Sequence, residues 1–139
     1  MSIAKEILVN AYEYVPRNEV MEFEQMVAAA EYTASINLVS ESGRKIYDKI
    51  CFQILIAGIT TNVVVRVQGS MDGENWANAS LIEADTTYTA NGTNLLYYKG
   101  DGQFTYIRLY WVSESGGTAA TIDVKAKFFD LDEETDEPN

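Results

Sequence analysis

The sequence predicts an all-β protein, an antiparallel β-sandwich with an N-terminal arm or short helix. From residue 32 onward, short runs of alternating apolar and polar residues are separated by Gly, Asp and Asn at short intervals, a pattern typical of strands and turns. The spacing leaves no room for the helices that connect parallel strands. A chain of 139 residues fits one domain. A barrel and a jelly-roll-like sandwich both satisfy the pattern.

The chain divides into three predicted parts. Residues 1–31 are expected to be an arm or short helix outside the main sheet order, since their apolar residues recur at helical spacing. An extended arm stays possible for residues 2–15, and a strand that leads into the next element stays possible for residues 19–31. Residues 32–129 form the β-sandwich domain. Residues 130–139 carry six acidic side chains and are expected to be a disordered tail.

Within the sandwich domain, alternation predicts which side chains face the core. The first run, from Tyr32, places Tyr32 itself on the inward side. The later runs are separated by turn signals, among them Asp72-Gly73 and Asn91-Gly92. The predicted inward residues of the strong strands are Tyr32, Ala34, Ile36, Leu38, Ile50, Phe52, Ile54, Ile56, Val63, Val65, Val67, Ile107, Leu109, Trp111, Ile122, Val124, Ala126 and Phe128. Weaker strands are predicted over 80–84, 86–89 and 95–99.

The net charge argues against two classes of partner. Ten basic and 21 acidic residues give a formal charge of −11. Binding to phosphate backbones or to anionic lipid needs a basic surface, so neither nucleic acid nor a membrane is expected as a partner. No apolar run approaches the length of about 20 residues that a membrane span needs.

The residue types also argue against catalysis. The chain has no histidine and a single cysteine, Cys51, which removes the usual general base and the common nucleophile pairs. Cys51 lies in an apolar run and is predicted to be buried. Asp72, Glu74 and Asn75 offer oxygen atoms in one loop, but Asp and Asn are also typical turn residues. We therefore predict no enzyme, no cofactor and no metal, although a pair of carboxylates for glycoside hydrolysis stays formally open.

One surface is a candidate interface. If Ile107, Leu109 and Trp111 face the core, Tyr106, Arg108 and Tyr110 share the outer face of the same strand. Aromatic residues and arginine are enriched at protein interfaces. With Trp76, just past the Asp72-Gly73 turn, they are the predicted interface residues. Cross-strand packing and a platform for sugar rings are the alternatives.

A valine-rich strand leads into Gly69-Ser70-Met71-Asp72-Gly73-Glu74-Asn75-Trp76, and a later strand contains Tyr106-Ile107-Arg108-Leu109. This order of parts resembles small β-sandwich virion proteins of tailed bacteriophages. Both match strings that recur in those proteins, "G-S-x-D-G-x-x-W" and "Y-I/V-R-L", and the likeness covers about residues 48–128.

The resemblance implies a structural role in the virion. The expected protein is a capsid decoration protein, made in the host cytoplasm, that binds the major capsid protein or another virion protein. A homo-oligomer is implied, with a trimer favoured. A carbohydrate-binding module of a tail or fibre, and a tail or neck connector that forms a ring, are the alternatives.

Overall fold

The computed structural model describes residues 20–39, 49–78, 85–99 and 104–128. Within them, nine strands form two antiparallel sheets that pack face to face, as the alternation predicted. The strands are β1 (Met21–Glu22), β2 (Ile36–Asn37), β3 (Lys49–Ala57), β4 (Asn62–Ser70), β5 (Ala77–Asn78), β6 (Thr86–Tyr88), β7 (Gly92–Lys99), β8 (Tyr106–Ser115) and β9 (Thr121–Phe128).

The nine strands of the described residues divide into one sheet of four strands and one of five. Sheet A has the order β1-β9-β3-β7, and sheet B has the order β2-β8-β4-β5, with β6 also paired to β4. The long strands β3 and β9 pair along eight residues, from Ile50↔Phe128 to Ala57↔Thr121. In sheet B, β4 and β8 pair along nearly their whole length. These two long pairs face each other and enclose the core.

The core contains the inward residues that alternation predicted for the long strands except Val67, which is half-buried and packs against the core. The four inward residues of β3 are at most 1% exposed, and those of β8 are fully buried. The buried hydrophobic residues are Met21, Met26, Ile36, Leu38, Ile50, Phe52, Ile54, Ile56, Val63, Val65, Tyr98, Ile107, Leu109, Trp111, Ala120, Ile122, Val124, Ala126 and Phe128. Burial of this apolar set is the main force that holds the two sheets together.

A β-bulge interrupts the pairing of β4 with β8. Val64 pairs with Ser113 and Val65 pairs with Trp111, so Val112 is the extra residue on β8. The bulge also lets the buried Trp111 satisfy its one polar group, because the indole Nε1 donates to the Ser113 carbonyl at 3.0 Å. Below the bulge, β8 alternates regularly between buried and half-buried residues.

The N-terminal region differs from its prediction where it is described. Residues 21–31 were expected to lie outside the sheet order, yet Met21 pairs with Ala126 in sheet A and Met26 forms an isolated bridge with Ile122. Both methionines are buried in the core, because the helical spacing of residues 20–30 is replaced by extended pairing along β9. The sandwich therefore includes residues 21–31. Residues 1–19 and the acidic tail lie outside the described residues.

The run from Tyr32 to Leu38 also departs from simple alternation. Ile36 and Leu38 are buried as predicted, whereas Tyr32 is 48% exposed and Thr33 is buried. Only Ile36–Asn37 is regular strand here, and Thr33 Oγ1 accepts a hydrogen bond from the Leu109 amide at 3.0 Å. The irregular backbone between Thr33 and Ile36 shifts the phase of the inward–outward alternation, so Tyr32 points away from the core.

Among the weaker predicted strands, 80–84 lies outside the described residues.

Candidate functional site

The outer face of sheet B brings the predicted interface residues together. Antiparallel register places Tyr106 beside Ser70, Arg108 beside Gln68, and Tyr110 beside Arg66. All three β8 residues are half-buried, which agrees with the outward orientation that the sequence predicted. The face is therefore three cross-strand rows of polar and aromatic side chains over the centre of the sheet.

Arg108 lies between two aromatic rings. Its guanidinium carbon is 3.8 Å from the centre of the Tyr32 ring and 4.2 Å from the centre of the Trp76 ring. Tyr32 bridges to Tyr110 on one edge of β8, while Trp76 precedes β5 on the far side of β4, so the rings approach from opposite sides. We call Tyr32, Arg108 and Trp76 the Arg108 stack.

Several interactions fix the guanidinium within the stack. Arg108 Nε donates to Gln68 Oε1 at 2.8 Å, and Gln68 is only 9% exposed. Partial burial lowers the pKa of Arg108, while the neighbouring Tyr32 opposes that shift. Arginine stays charged at neutral pH. The stack therefore holds one positive charge against two π faces, a cation–π arrangement.

The hairpin of residues 69–76 positions Trp76. Asp72 Oδ1 accepts hydrogen bonds from the amides of Glu74 at 2.8 Å and Asn75 at 2.9 Å, and its Oδ2 accepts one from Asn75 Nδ2 at 2.8 Å. These bonds, the Asn75 amide first, hold the pKa of Asp72 well below its usual range. The oxygen-rich loop is thus a turn in which the Asp72 carboxylate satisfies backbone amides of the loop itself.

Ser70 and Gly73 complete that turn. Ser70 Oγ accepts hydrogen bonds from the Gly73 amide at 2.8 Å and the Asp72 amide at 3.2 Å, and donates to Asp72 Oδ1 at 2.9 Å. Gly73 has a φ of +78°, which glycine adopts at little cost. The turn lies against the outer face, since a Cβ at Gly73 would be 3.5 Å from the Tyr106 ring. The "S-x-D-G" part of the string is therefore explained by the hydrogen bonds and the backbone conformation of the turn.

A second arginine on this face is held by an acid. Arg66 Nε donates to Asp85 Oδ1 at 2.7 Å and its Nη2 donates to Asp85 Oδ2 at 3.0 Å, a bidentate pair. The hydrogen bond from Arg66 holds the pKa of Asp85 below its usual range. Both arginines of the described face are thus fixed in orientation beside Tyr110.

The sequence missed three contributors to this site. Tyr32 was expected on the inward side. No local sequence pattern marked Gln68 or Asp85 as part of a site. Tyr32 is brought to Arg108 by the irregular backbone of residues 33–35, which no simple period predicts. Gln68 is recognisable only after the register places it opposite Arg108.

Two other kinds of functional feature are absent from the described residues. They contain no group of three or more Cys, Asp or Glu side chains arranged to hold a metal ion. No helix that could cross a membrane occurs among them. The chain matches no protein-family model, and no curated protein matches it. The outer face of sheet B is therefore the candidate site on geometry alone.

Proposed function

We propose that this chain is a non-enzymatic structural protein of a phage virion, a capsid decoration protein that binds the outer shell through the outer face of sheet B. The observation that carries the proposal is the Arg108 stack, in which two aromatic rings and a buried amide hold one arginine on a half-exposed sheet. The motif strings that resemble phage virion proteins coincide with this face, since they contain Trp76, Tyr106 and Arg108.

The geometry suits recognition of a protein surface. Aromatic residues and arginine supply much of the binding energy at interfaces, mostly where the contact is rigid and loses little side-chain freedom. The stack and the Arg66–Asp85 pair are already ordered by contacts within the chain. A partner that covers them gains apolar contact with Tyr32, which is 48% exposed, and pays little to order the arginines. We expect the partner to be the major capsid protein or another virion protein.

Copies around a symmetry axis of a shell require a defined stoichiometry. We propose a homo-oligomer, with a trimer favoured. Light scattering after size exclusion is expected to give three times the chain mass of 15.5 kDa. A larger closed ring would favour a tail or neck connector instead.

A carbohydrate-binding module of a tail or fibre is the second candidate. Trp76 is half-buried rather than buried, so an aromatic surface is accessible to a sugar ring, and aromatic faces suit such stacking. The stacked arginine counts against this function, because it already lies over both the Tyr32 and Trp76 rings. A glycan screen with host surface polysaccharide, read against Trp76→Ala, decides between the two candidates.

Co-sedimentation with empty shells tests the proposal. The shells are assembled from the major capsid protein of the same genome, and the variant is Arg108→Ala with Tyr110→Ala. We expect the wild-type chain to pellet with the shells, and the double variant to lose about tenfold or more in affinity, as for interface hot spots. The control is Thr93→Ala, an exposed change on sheet A, which should bind as the wild type does. Equal binding of the double variant and the control, with both folded by circular dichroism, would refute this interface.

A further inference from the structure

Arg108 is held on the outer face of sheet B by neutral groups alone. Its Nε donates to Gln68 Oε1 at 2.8 Å, and the other polar groups that act on its charge are tyrosine hydroxyls. Among the described residues, no carboxylate lies within ion-pair distance of its guanidinium. Arg66 on the same face is paired with the Asp85 carboxylate by two hydrogen bonds. Of these two arginines, Arg108 therefore keeps its charge uncompensated.

The two rings of the Arg108 stack restrict the directions from which a ligand can reach that charge. The guanidinium carbon is 3.8 Å from the centre of the Tyr32 ring and 4.2 Å from the centre of the Trp76 ring. At these distances each ring lies over a flat side of the guanidinium, because a ring in its plane would collide with the outer nitrogens. Gln68 occupies the Nε edge. A ligand that binds the charge directly has to approach Nη1 and Nη2 within the guanidinium plane.

The chemistry of this edge favours a carboxylate. The N–H groups of Nη1 and Nη2 lie in one plane and match the two oxygens of a carboxylate, which is planar as well. A phosphate has oxygens above and below the plane, and those oxygens would be directed at the two rings. Partial burial lowers the pKa of Arg108, since it disfavours the charged form. A carboxylate at this edge would offset that cost.

The charge of the chain limits how much acid the face can accept. The formal charge is −11, so an acidic surface as a whole is repelled at a distance. A single carboxylate in contact with Arg108 is favoured, because the attraction then acts at short range in a half-buried site. The site therefore suits one acidic side chain and not an acidic patch.

We propose that the Arg108 stack is a carboxylate subsite that receives one Asp or Glu side chain of the virion protein bound by this face. The source of the carboxylate rests on the proposed function, whereas the subsite rests on the geometry of the stack. Two experiments, one without and one with the virion protein, test these two parts separately.

A short peptide tests the subsite without any virion protein. The probe is the peptide Ala-Glu-Ala, acetylated and amidated at its ends so that the glutamate is its only charge. Side-chain NMR signals of Arg108 and Arg66 in the full chain are followed during titration with this peptide, with Ala-Gln-Ala blocked in the same way, and with methyl phosphate. We expect the glutamate peptide at millimolar concentrations to shift the Arg108 signals saturably and those of Arg66 less, because Asp85 already occupies Arg66. The glutamine peptide should leave both unchanged. Absence of a saturable shift at Arg108, or an equal shift with methyl phosphate, would overturn the subsite.

Shells with neutralised carboxylates test the source. The carboxylates of empty shells are converted to amides with a carbodiimide and glycinamide, and co-sedimentation is compared with untreated shells for the wild-type chain, Arg108→Gln and the control Thr93→Ala. We expect amidation to weaken the wild-type chain and the control about tenfold or more. Arg108→Gln should bind untreated shells as weakly as the wild-type chain binds amidated ones and should lose no more on amidation, because one partner of the contact is already missing.

The outcomes separate the subsite from the proposed function. A saturable peptide shift without binding to untreated shells would refute the capsid decoration function and the virion source of the carboxylate, while the subsite would stand. Binding to untreated shells that falls equally on amidation for the wild-type chain and for Arg108→Gln, with both folded by circular dichroism, would refute the carboxylate contact, while the decoration function would stand.

Discussion

The large side chains on the outer faces of the two sheets differ in their contacts and in their exposure. On sheet B, Arg108 is stacked between Tyr32 and Trp76, and Arg66 is paired with Asp85. On sheet A, Leu95 and Tyr97 are more than half exposed. The two faces belong to one sandwich and share one core, so the difference lies in the outward residues alone.

This contrast separates two kinds of surface. A face whose side chains are already fixed by one another is pre-organised, so a partner binds it at a small entropic cost. A face with exposed apolar side chains gains most when those side chains are covered. We therefore propose the outer face of sheet B as the partner-binding face.

Removing core volume is expected to have the largest effect on stability, because both sheets pack on the same core. Leu109 is fully buried directly beneath the Arg108 stack on β8. Leu109→Ala should lower the free energy of unfolding by about 2–5 kcal/mol, since it loses apolar contact and leaves a cavity. Urea unfolding measures this. Met71→Ala, at a side chain that is 77% exposed, is the control and should change stability little.

The hairpin that positions Trp76 gives the next largest effect. Gly73→Ala forces alanine to a φ of +78°, and the added Cβ meets the Tyr106 ring only at ordinary contact distance. The backbone penalty alone should cost about 1–2 kcal/mol. Gly73→Asn tests the cause, because asparagine tolerates this conformation and should cost less. Equal losses for the two variants would assign the effect to crowding against Tyr106.

The Arg108 stack is expected to contribute less to stability than the core or the hairpin. Arg108→Ala removes two cation–π contacts and the donor to the buried Gln68, which should cost about 1 kcal/mol at this half-exposed site. Thermal unfolding followed by Trp fluorescence measures it. Arg108→Lys keeps the charge but lacks the planar group, so it should recover only part of the loss. Full recovery would show that charge alone matters.

The ion pair on the same face should have the smallest effect. Arg66 and Asp85 are linked at 2.7 Å with their side chains 25% and 31% exposed. Because exposed pairs are screened by water and salt, Arg66→Ala should cost about 0.5 kcal/mol or less. The difference should shrink further in high salt. A loss that does not respond to salt would contradict an electrostatic origin.

Much of the fold was predictable because the core residues obey a period of two. Ile50, Phe52, Ile54 and Ile56 alternate without interruption, and burial of one sheet face requires that pattern. Tyr32 could not be placed, because its backbone departs from regular strand before Ile36. The region before Tyr32 was wrongly placed outside the sheet order for a related reason. Apolar residues at mixed spacing fit a helix or an edge strand, and pairing with β9 decides between them.

The candidate site was predictable only in part. Tyr106, Arg108 and Tyr110 follow from the phase of one strand, and Asp72-Gly73 marks the turn before Trp76. The stack requires contacts between residues 32, 76 and 108, and the pairing that brings them together is long-range. No local pattern carries that information.

Hydroxyl-radical footprinting of the chain bound to shells tests the central claim most directly. One experiment measures the oxidation rates of aromatic side chains on both outer faces. These are Trp76 and Tyr32 for sheet B and Tyr97 for sheet A. We predict that shell binding slows oxidation of Trp76 and Tyr32 and leaves the oxidation of Tyr97 unchanged. Slower oxidation of Tyr97, with Trp76 and Tyr32 unchanged, would place the partner on sheet A and contradict the proposed binding face.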